Sequence, residues 1–474
     1  AAPTYAPRGH PPTLPVAMAS AARQTVLRTG GLCGAAALGA AYYQRLPRRP
    51  LDHRTAHREG LSTRLYQSVT PLAFQIEPET AHRLALQAAG CLQRLRLLLE
   101  PAWTGSTPLD WLLRPGFYSE PTPGPSLRQE LFGGRLRFES PVGIAAGFDK
   151  NAELVPLYRL GALPGLGFAE VGSISAEPAA GNPRPRCFRL IPDAAVVNRM
   201  GLNNDGSAAV AARFERYSVL GRASAPAAEG CRRSPVGINI AKTHSPAILG
   251  EAAVADFVTS FRALAPHADF VVLNVSCPNT EEGKTFEDPE PLAQLLAAVG
   301  AARAEVFASG SAPPVLVKLS PPTDSEAGRE QLRSLIGIVE AAGFVEGLVI
   351  SNTAGDRDLP LSEAGRSRVQ EIGRGGLSGR PLRGRSTVAV RTAYEAVGGR
   401  LPIVGCGGVD SAEAAYEKVR AGASLVELYS SIVYKGPGVI EDIEVGLRRL
   451  LHRDGFACLA DAVGADVPVV SRET

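Results

Sequence analysis

The chain predicts an α/β fold, a (β/α)8 barrel with a small helical pair ahead of it, and three observations predict it. Eight apolar, β-branched-rich runs follow one another at Pro141–Phe148, Phe168–Ser175, Pro235–Lys242, Asp269–Cys277, Pro314–Ser320, Gly347–Thr353, Pro402–Gly408 and Leu425–Ile432. Segments of helical period separate them, such as Leu292-Leu295-Leu296-Val299, Leu332-Leu335-Ile336-Val339 and Ala412-Ala415-Val419. Nearly every run also closes on a chemically useful residue: Lys150, Ser173, Asn239, Asn274, Lys318, Asn352, Gly408 and Tyr429. A doubly wound sheet shares the alternation but gathers its ligand groups near one switch point. Chemically useful endings on nearly every strand fit a closed barrel, whose site lies at the C-terminal ends of its strands.

Residues 1–60 read as a leader. No Asp or Glu precedes Asp52, while Arg8, Arg23, Arg28, Arg45, Arg48 and Arg49 punctuate an Ala-rich stretch. That composition is expected of a mitochondrial transit peptide, with Met18 as a plausible real start, or of a disordered Ala/Arg leader. Gly30 to Tyr43 is uncharged and apolar but shorter than the ~20 residues of a spanning helix, which leaves room for a weak membrane anchor only.

Residues 61–100 read as two helices. Leu61, Leu65, Val69 and Leu72 mark the first; Pro71 and Glu77-Pro78 punctuate the chain, and Pro78 suits the first turn of the second. The apolar face of the second runs Ala81, Leu84, Ala85, Ala88, Leu92, Leu95 and Leu99, interleaved with Arg83, Arg94 and Arg96. Such a pair caps the barrel or leans on a membrane; the pattern alone favours the packed cap. Residues 101–126, rich in Pro, Gly and Ser, form a linker, and residues 127–465 the barrel.

Composition narrows the function. Fifty Lys and Arg against 47 Asp and Glu give a net charge of +3, so no general attraction to nucleic acid is expected. Seven cysteines lie scattered without a C-x-x-C pair. That argues against a zinc site, a disulfide framework or an iron–sulfur cluster, and for reduced thiols in a non-secretory compartment.

The most telling stretch is Asn274-Val275-Ser276-Cys277-Pro278-Asn279-Thr280. Two amides can frame a flat ligand with imide-like edges, and Cys277 can remove a proton once partly ionised. Gly375-Gly376-Leu377-Ser378-Gly379, Gly405-Cys406-Gly407-Gly408 and Tyr429-Ser430-Ser431 offer backbone N–H groups and hydroxyls to a phosphate, whose usual place in this fold is after the seventh and eighth strands. Lys318, on a buried strand, needs either an electron-rich ligand such as a flavin ring or an ion pair at the barrel mouth.

With these stretches in view, the chain resembles the dihydroorotate dehydrogenase family. The resemblance rests on Pro141–Lys150, Gly181–Arg186, Asn198-Arg199-Met200-Gly201-Leu202-Asn203, Asn274–Thr280, Ser351-Asn352-Thr353, Gly375–Leu382 and Ala421–Val426. It spans roughly residues 61–465. The helical pair, with Ala81-His82-Arg83-Leu84, and the arginine leader resemble the membrane-associated, quinone-reducing branch.

The resemblance implies FMN as cofactor, dihydroorotate and orotate as substrate and product, ubiquinone as acceptor, and the inner mitochondrial membrane surface as the location. No obligate protein partner is expected. FMN would be held by Ala146, Gly147, Lys150, Ser173, Asn239, Asn274, Lys318, Ser351, Gly379, Gly408, Tyr429 and Ser430. The substrate would meet Lys150, Asn198, Arg199, Met200, Gly201, Leu202, Asn274, Asn279, Asn352 and Thr353. His82, Arg189 and Tyr429 would face the quinone channel, and Cys277 would be the catalytic base. That cysteine departs from the serine typical of the quinone branch and matches the soluble branch that uses fumarate or NAD. Leu202 in place of Phe and Ala241 in place of Gly are further departures. Two other readings are another FMN barrel that reduces uracil in RNA, expected to carry a basic RNA-binding region, and a non-catalytic membrane-tethered barrel.

Overall fold

A computed structural model of the 474-residue chain describes residues 61–99, 124–159, 161, 163–219, 234–276 and 286–468, and all of them belong to one compact unit. The leader, nearly all of the expected linker, and Cys277, Asn279 and Thr280 lie outside the described residues.

The barrel forms from the eight expected runs. Its strands are β3 (Val142–Ile144), β4 (Phe168–Ile174), β7 (Val236–Ile240), β8 (Phe270–Asn274), β9 (Val315–Leu319), β10 (Val345–Ile350), β12 (Ile403–Cys406) and β13 (Leu425–Leu428). They pair in parallel in chain order and close through β13 on β3. All are buried almost throughout, which explains why they read as continuous apolar runs rather than alternating ones. The last expected strand overshoots: β13 stops at Leu428, and Ser430–Lys435 is helical.

The antiparallel hairpin of β1 (Gln129–Leu131) and β2 (Leu136–Phe138) closes the bottom of the barrel, where Phe138 meets Phe168 edge-on, ring centroids 5.6 Å apart, and Phe168 meets Phe270 at 6.2 Å. Gly143 and Gly237 make room for those rings, since a Cβ at either would stand within 2.3 Å of one. At the mouth, β5 (Cys187–Leu190), β6 (Ala195–Asn198) and β11 (Gly376–Gly379) form a second, antiparallel sheet that no strand pattern forecast. The first glycine cluster is thus a strand after the sixth barrel strand, rather than a loop after the seventh.

Helix α1 spans Leu61–Ala73 and α2 spans Pro78–Leu99. Pro71 does not end α1: so near the helix terminus its missing N–H removes only one bond. The Glu77 carboxylate caps α2, accepting from Glu79 N at 2.9 Å and Thr80 N at 2.7 Å. The face of α2 that docks differs from the expected one. Leu84 and Leu92 are 48% and 37% exposed, and Ala85 and Ala88 are exposed too. Contact with the barrel falls instead on the stripe His82, Leu86, Ala89 and Gln93. Gln93 fixes it, accepting from Leu157 N and donating to Glu153 O, both at 3.0 Å. Polar groups won this face because two barrel backbone groups needed partners there. Val69, Leu72 and Ile76 add to the exposed apolar surface. The side chains of Leu61, Leu65, Leu95 and Leu99 lie outside the described set. Among the described residues no helix is long and apolar enough to cross a membrane.

Candidate active site

A cavity of about 230 Å³ opens at the C-terminal ends of the strands, roofed by the start of α2. Every barrel strand except β7 contributes to its lining through residues at or just beyond its C-terminal end. Ala146, Gly147 and Lys150 follow β3; Ser173 lies in β4, Asn274 ends β8 and Lys318 lies in β9; Ser351, Asn352 and Thr353 follow β10. The mouth sheet adds Asn198 and Gly379, with Met200, Gly201 and Leu202 just after β6. Gly408, Tyr429 and Ser430 complete it after β12 and β13, and His82 and Arg189 line it from the α2 side.

The amides are held in a fixed frame. Asn274 Nδ2 donates to Ser173 Oγ at 3.1 Å, and Asn274 Oδ1 accepts from Ser276 Oγ at 2.9 Å. Asn352 Nδ2 reaches Ser276 O and Ser276 Oγ, both at 3.0 Å. Asn198 Nδ2 reaches Gly376 O at 3.4 Å, across the β6–β11 pair. Side chains locked this way present preset hydrogen-bonding edges to a planar ligand. Ser378 Oγ and Ser430 Oγ lie 2.9 Å apart beside Gly379, a hydroxyl pair at the glycine-rich end of the cavity.

Two expected residues are elsewhere. Asn239 is fully buried inside the barrel, its Nδ2 donating to Glu170 Oε1 at 2.7 Å, and does not line the cavity. Arg199 turns away from it, donating to Ile372 O and Pro185 O, with its guanidinium 4.9 Å above the Phe188 ring. Its neighbours Asn198 and Met200 face in, as alternation along an extended segment requires. Lys318 borders the cavity but has protein partners: Nζ is 2.9 Å from Glu170 Oε1 and 3.6 Å from Glu427 Oε2. The ion pair, then, satisfies its charge within the protein. Sequence reasoning missed both acids, although each is a lone charge in an apolar strand, Phe168-Ala169-Glu170-Val171 and Leu425-Val426-Glu427-Leu428, complementary in sign to Lys318.

The α2 side is aromatic and basic. His82 Nε2 lies 2.7 Å from Phe148 O, and the Phe148 and Tyr429 rings stand 5.0 and 6.2 Å from the imidazole. Burial lowers the His82 pKa, only partly opposed by its bond to Phe148 O, and Lys150 lowers it further while Glu79 raises it. Burial raises the Tyr429 hydroxyl. Arg189 donates to Ile76 O at 2.9 Å and lies 4.5 Å over the Phe74 ring, tying the mouth sheet to the α1–α2 turn. Glu79, another residue the sequence did not flag, binds Arg186 and Arg184, each through Oε1 at 2.7 Å.

A closed parallel barrel with amides, hydroxyls and glycine turns converging at its mouth defines a (β/α)8-barrel enzyme architecture. The sequence profile of the dihydroorotate dehydrogenase family matches residues 126–451. A protein of Deinococcus radiodurans named dihydroorotate dehydrogenase (quinone) is 42% identical over 410 residues, 84% of this chain and 100% of its own length. One of the same name from Natronomonas pharaonis is 41% identical over 403 residues, 85% of this chain and 99% of its own. The crystal structure of an Eimeria tenella DHODH in complex with ferulenol superposes with a TM-score of 0.66 at 31% identity, covering 82% of this chain and 96% of that one. This chain belongs to the dihydroorotate dehydrogenase family, and its likeness is to the quinone-dependent type.

Proposed function

We propose that this protein oxidises (S)-dihydroorotate to orotate in the biosynthesis of pyrimidines (UMP), with FMN as cofactor and a quinone as electron acceptor. The observation that carries this is a single cavity with three chemically distinct parts. Amides frame one, a glycine and serine cluster bounds another, and His82, Arg189 and Tyr429 border the opening under α2.

The residues present fit FMN. A Cβ at Gly147, whose φ is +99°, would meet no protein atom within 4 Å and would stand in open space on the cavity wall. Gly379, Gly408, Ser430 and Ser378 supply N–H and O–H donors suited to a phosphate, and Ala146, Gly147, Lys150, Ser173, Asn274, Lys318, Ser351 and Tyr429 line the space for the ring system. Held there, FMN would supply a two-electron acceptor for the hydride on C6 of the substrate and a donor to the quinone.

The chain's own part is to orient and deprotonate. Asn198, Asn274, Asn352 and Thr353 match the carbonyl and N–H edges of the substrate ring, and Lys150 matches its carboxylate. Cys277 and Asn279 lie outside the described residues; they directly follow the Asn274–Ser276 frame in sequence, and Cys277 is assigned the proton on C5. The exposed Val69, Leu72, Ile76, Leu84 and Leu92 give the helical pair an apolar outer surface suited to a membrane from which a quinone enters. Residues 61–100 are accordingly assigned as the quinone cap and 127–465 as the catalytic barrel.

The mitochondrial inner membrane as the particular location rests on residues 1–60 alone. The bacterial and archaeal relatives lend it no support. Import of those residues, fused to a reporter, into isolated mitochondria tests it. Acceptor choice is tested by steady-state turnover of the full-length protein. It should reduce a short-chain ubiquinone and give no turnover with fumarate or NAD; turnover with fumarate in place of quinone would move it to the soluble type that its Cys277 matches.

A further inference from the structure

Lys418 has no place in the site described above, yet its side chain is wholly buried. It lies on the helix Ala412–Arg420 and reaches the underside of the turn that follows β12. Nζ donates to Ser386 Oγ at 2.5 Å, to Thr387 Oγ1 at 3.0 Å and to Arg383 O at 3.5 Å, all in the first turn and a half of the helix Arg383–Val397. These partners are two hydroxyls and a carbonyl rather than a carboxylate. A buried ammonium so placed is expensive unless it serves an anion nearby.

The local packing is built around this side chain. Gly405 leaves it room, since a Cβ there would lie 3.2 Å from Lys418 Cδ and 3.0 Å from Ala423 Cβ. Ser386 Oγ donates onward to Gly407 O at 2.8 Å. In a trans peptide the C=O and the following N–H point in opposite directions. With Gly407 O turned back to Ser386, the Gly408 N–H is turned the other way, toward the cavity that Gly407 and Gly408 line. Gly408 is pressed on the start of the same helix, where a Cβ would come within 2.6 Å of Arg383 N, Cα and Cβ. The turn is therefore fixed from behind by a relay of ammonium, hydroxyl and carbonyl.

We propose that Lys418 is a positioning residue for phosphate recognition: through Ser386 it orients the Gly407–Gly408 peptide toward a phosphate monoester, and its ammonium supplies positive charge behind that turn. Burial pushes the Lys418 pKa down to about 7, with Cys406 and Glu417 raising it and Arg383 lowering it. An anion across the turn favours the charged form of such a group.

The inference rests on the FMN reading, and the test separates the two. Apoprotein is titrated with FMN and with riboflavin, which has the same ring system and no phosphate, following flavin fluorescence. In Lys418→Met and Ser386→Ala the affinity for FMN should fall roughly tenfold or more while that for riboflavin stays within about twofold of wild type. Ser386→Ala keeps the result decisive if Lys418→Met does not fold. Equal losses for both flavins would make the cluster a packing feature, and unchanged FMN affinity in Ser386→Ala would break the relay; either overturns the proposal. Wild-type protein that binds neither flavin would overturn the FMN reading itself.

Discussion

Lys318 on β9 and Glu170 on β4 meet inside the barrel, Nζ to Oε1 at 2.9 Å, with side chains 5% and 0% exposed. Glu427, equally buried, places Oε2 3.6 Å from the same ammonium. Burial alone would lower the Lys318 pKa, but Glu170 and Glu427 outweigh it and hold the ammonium well above its ordinary range. Two carboxylates cannot both stay ionised around one buried ammonium without leaving a net charge in a dry interior. Glu170 stands closer to the ammonium and also accepts from Asn239 Nδ2, while burial, and then the charge on Glu170, push the Glu427 carboxyl up, so the proton is expected on Glu427.

A protonated Glu427 is matched in charge and shape by glutamine. Glu427→Gln should therefore change unfolding free energy by no more than about 1 kcal/mol, whereas the double variant Glu170→Gln/Glu427→Gln should lose about 3–5 kcal/mol by leaving Lys318 unpaired. Denaturant unfolding of the variants measures this. A loss in Glu427→Gln as large as in the double variant would mean that Glu427 carries the charge.

His82 and Arg189 are expected to act in the oxidative half of the cycle only. Burial, the dominant influence on its pKa, favours a neutral His82 near pH 7. Its Nε2, facing Phe148 O at 2.7 Å, is then the protonated nitrogen. Replacing either residue by alanine should lower kcat/KM for quinone about 10–100-fold and leave flavin reduction by dihydroorotate within about twofold of wild type. Equal losses in both half-reactions would place these residues in the substrate site instead.

Cys277→Ala should slow flavin reduction by at least ~10²-fold, as expected for a lost general base. Orotate affinity should change little, because Asn198, Asn274 and Asn352 remain. Cys277→Ser should stay active with its rate profile moved to higher pH, a thiol having a reference pKa of about 8.5 and a hydroxyl ionising far less readily. Stopped-flow reduction across the pH range reads both effects. A wild-type rate in the alanine variant would leave Cys277 a packing residue.

Asp149 gives a pH signature of folding. Its carboxylate caps the turn before the helix Val155–Arg159, accepting from Glu153 N and Leu154 N at 2.8 Å each. Burial nonetheless raises its pKa from 3.8 to about 6, the two backbone bonds pulling the other way. With the folded value above the unfolded one, the native state holds the proton longer. This contribution to stability is full below pH 3.8 and is lost as pH rises through about 6. Thermal unfolding of wild type against Asp149→Asn should show that decline in wild type and not in the variant. Parallel pH profiles would show that Asp149 does not titrate in that window.

The barrel could be read from the chain because its strands are buried on both faces, and long apolar runs between helical segments have few other solutions. The mouth sheet could not: Cys187–Leu190 and Gly376–Gly379 are short and carry no alternation, and Gly376–Gly379 pairs with Ala195–Asn198 across a wide gap in sequence. The α2 face was misjudged for a related reason. Hydrophobicity marks the side that avoids water, but the stripe that packs on the barrel is set by His82 and Gln93, whose polar atoms meet barrel backbone groups. In the site, motif positions marked Asn198, Asn274, Asn352 and Gly408, all of which line the cavity. They could not distinguish Asn239 and Arg199, whose orientations depend on Glu170 and on the carbonyls of Ile372 and Pro185, partners distant in sequence.

Anaerobic mixing of the full-length holoprotein with (S)-dihydroorotate, followed by addition of a short-chain ubiquinone, tests the proposed flavin route most directly. The visible flavin band should bleach with formation of one orotate per flavin, and should return in full on adding the quinone without oxygen. Folded protein that carries no flavin and takes none up, or a flavin that dihydroorotate leaves oxidised, would contradict the assignment.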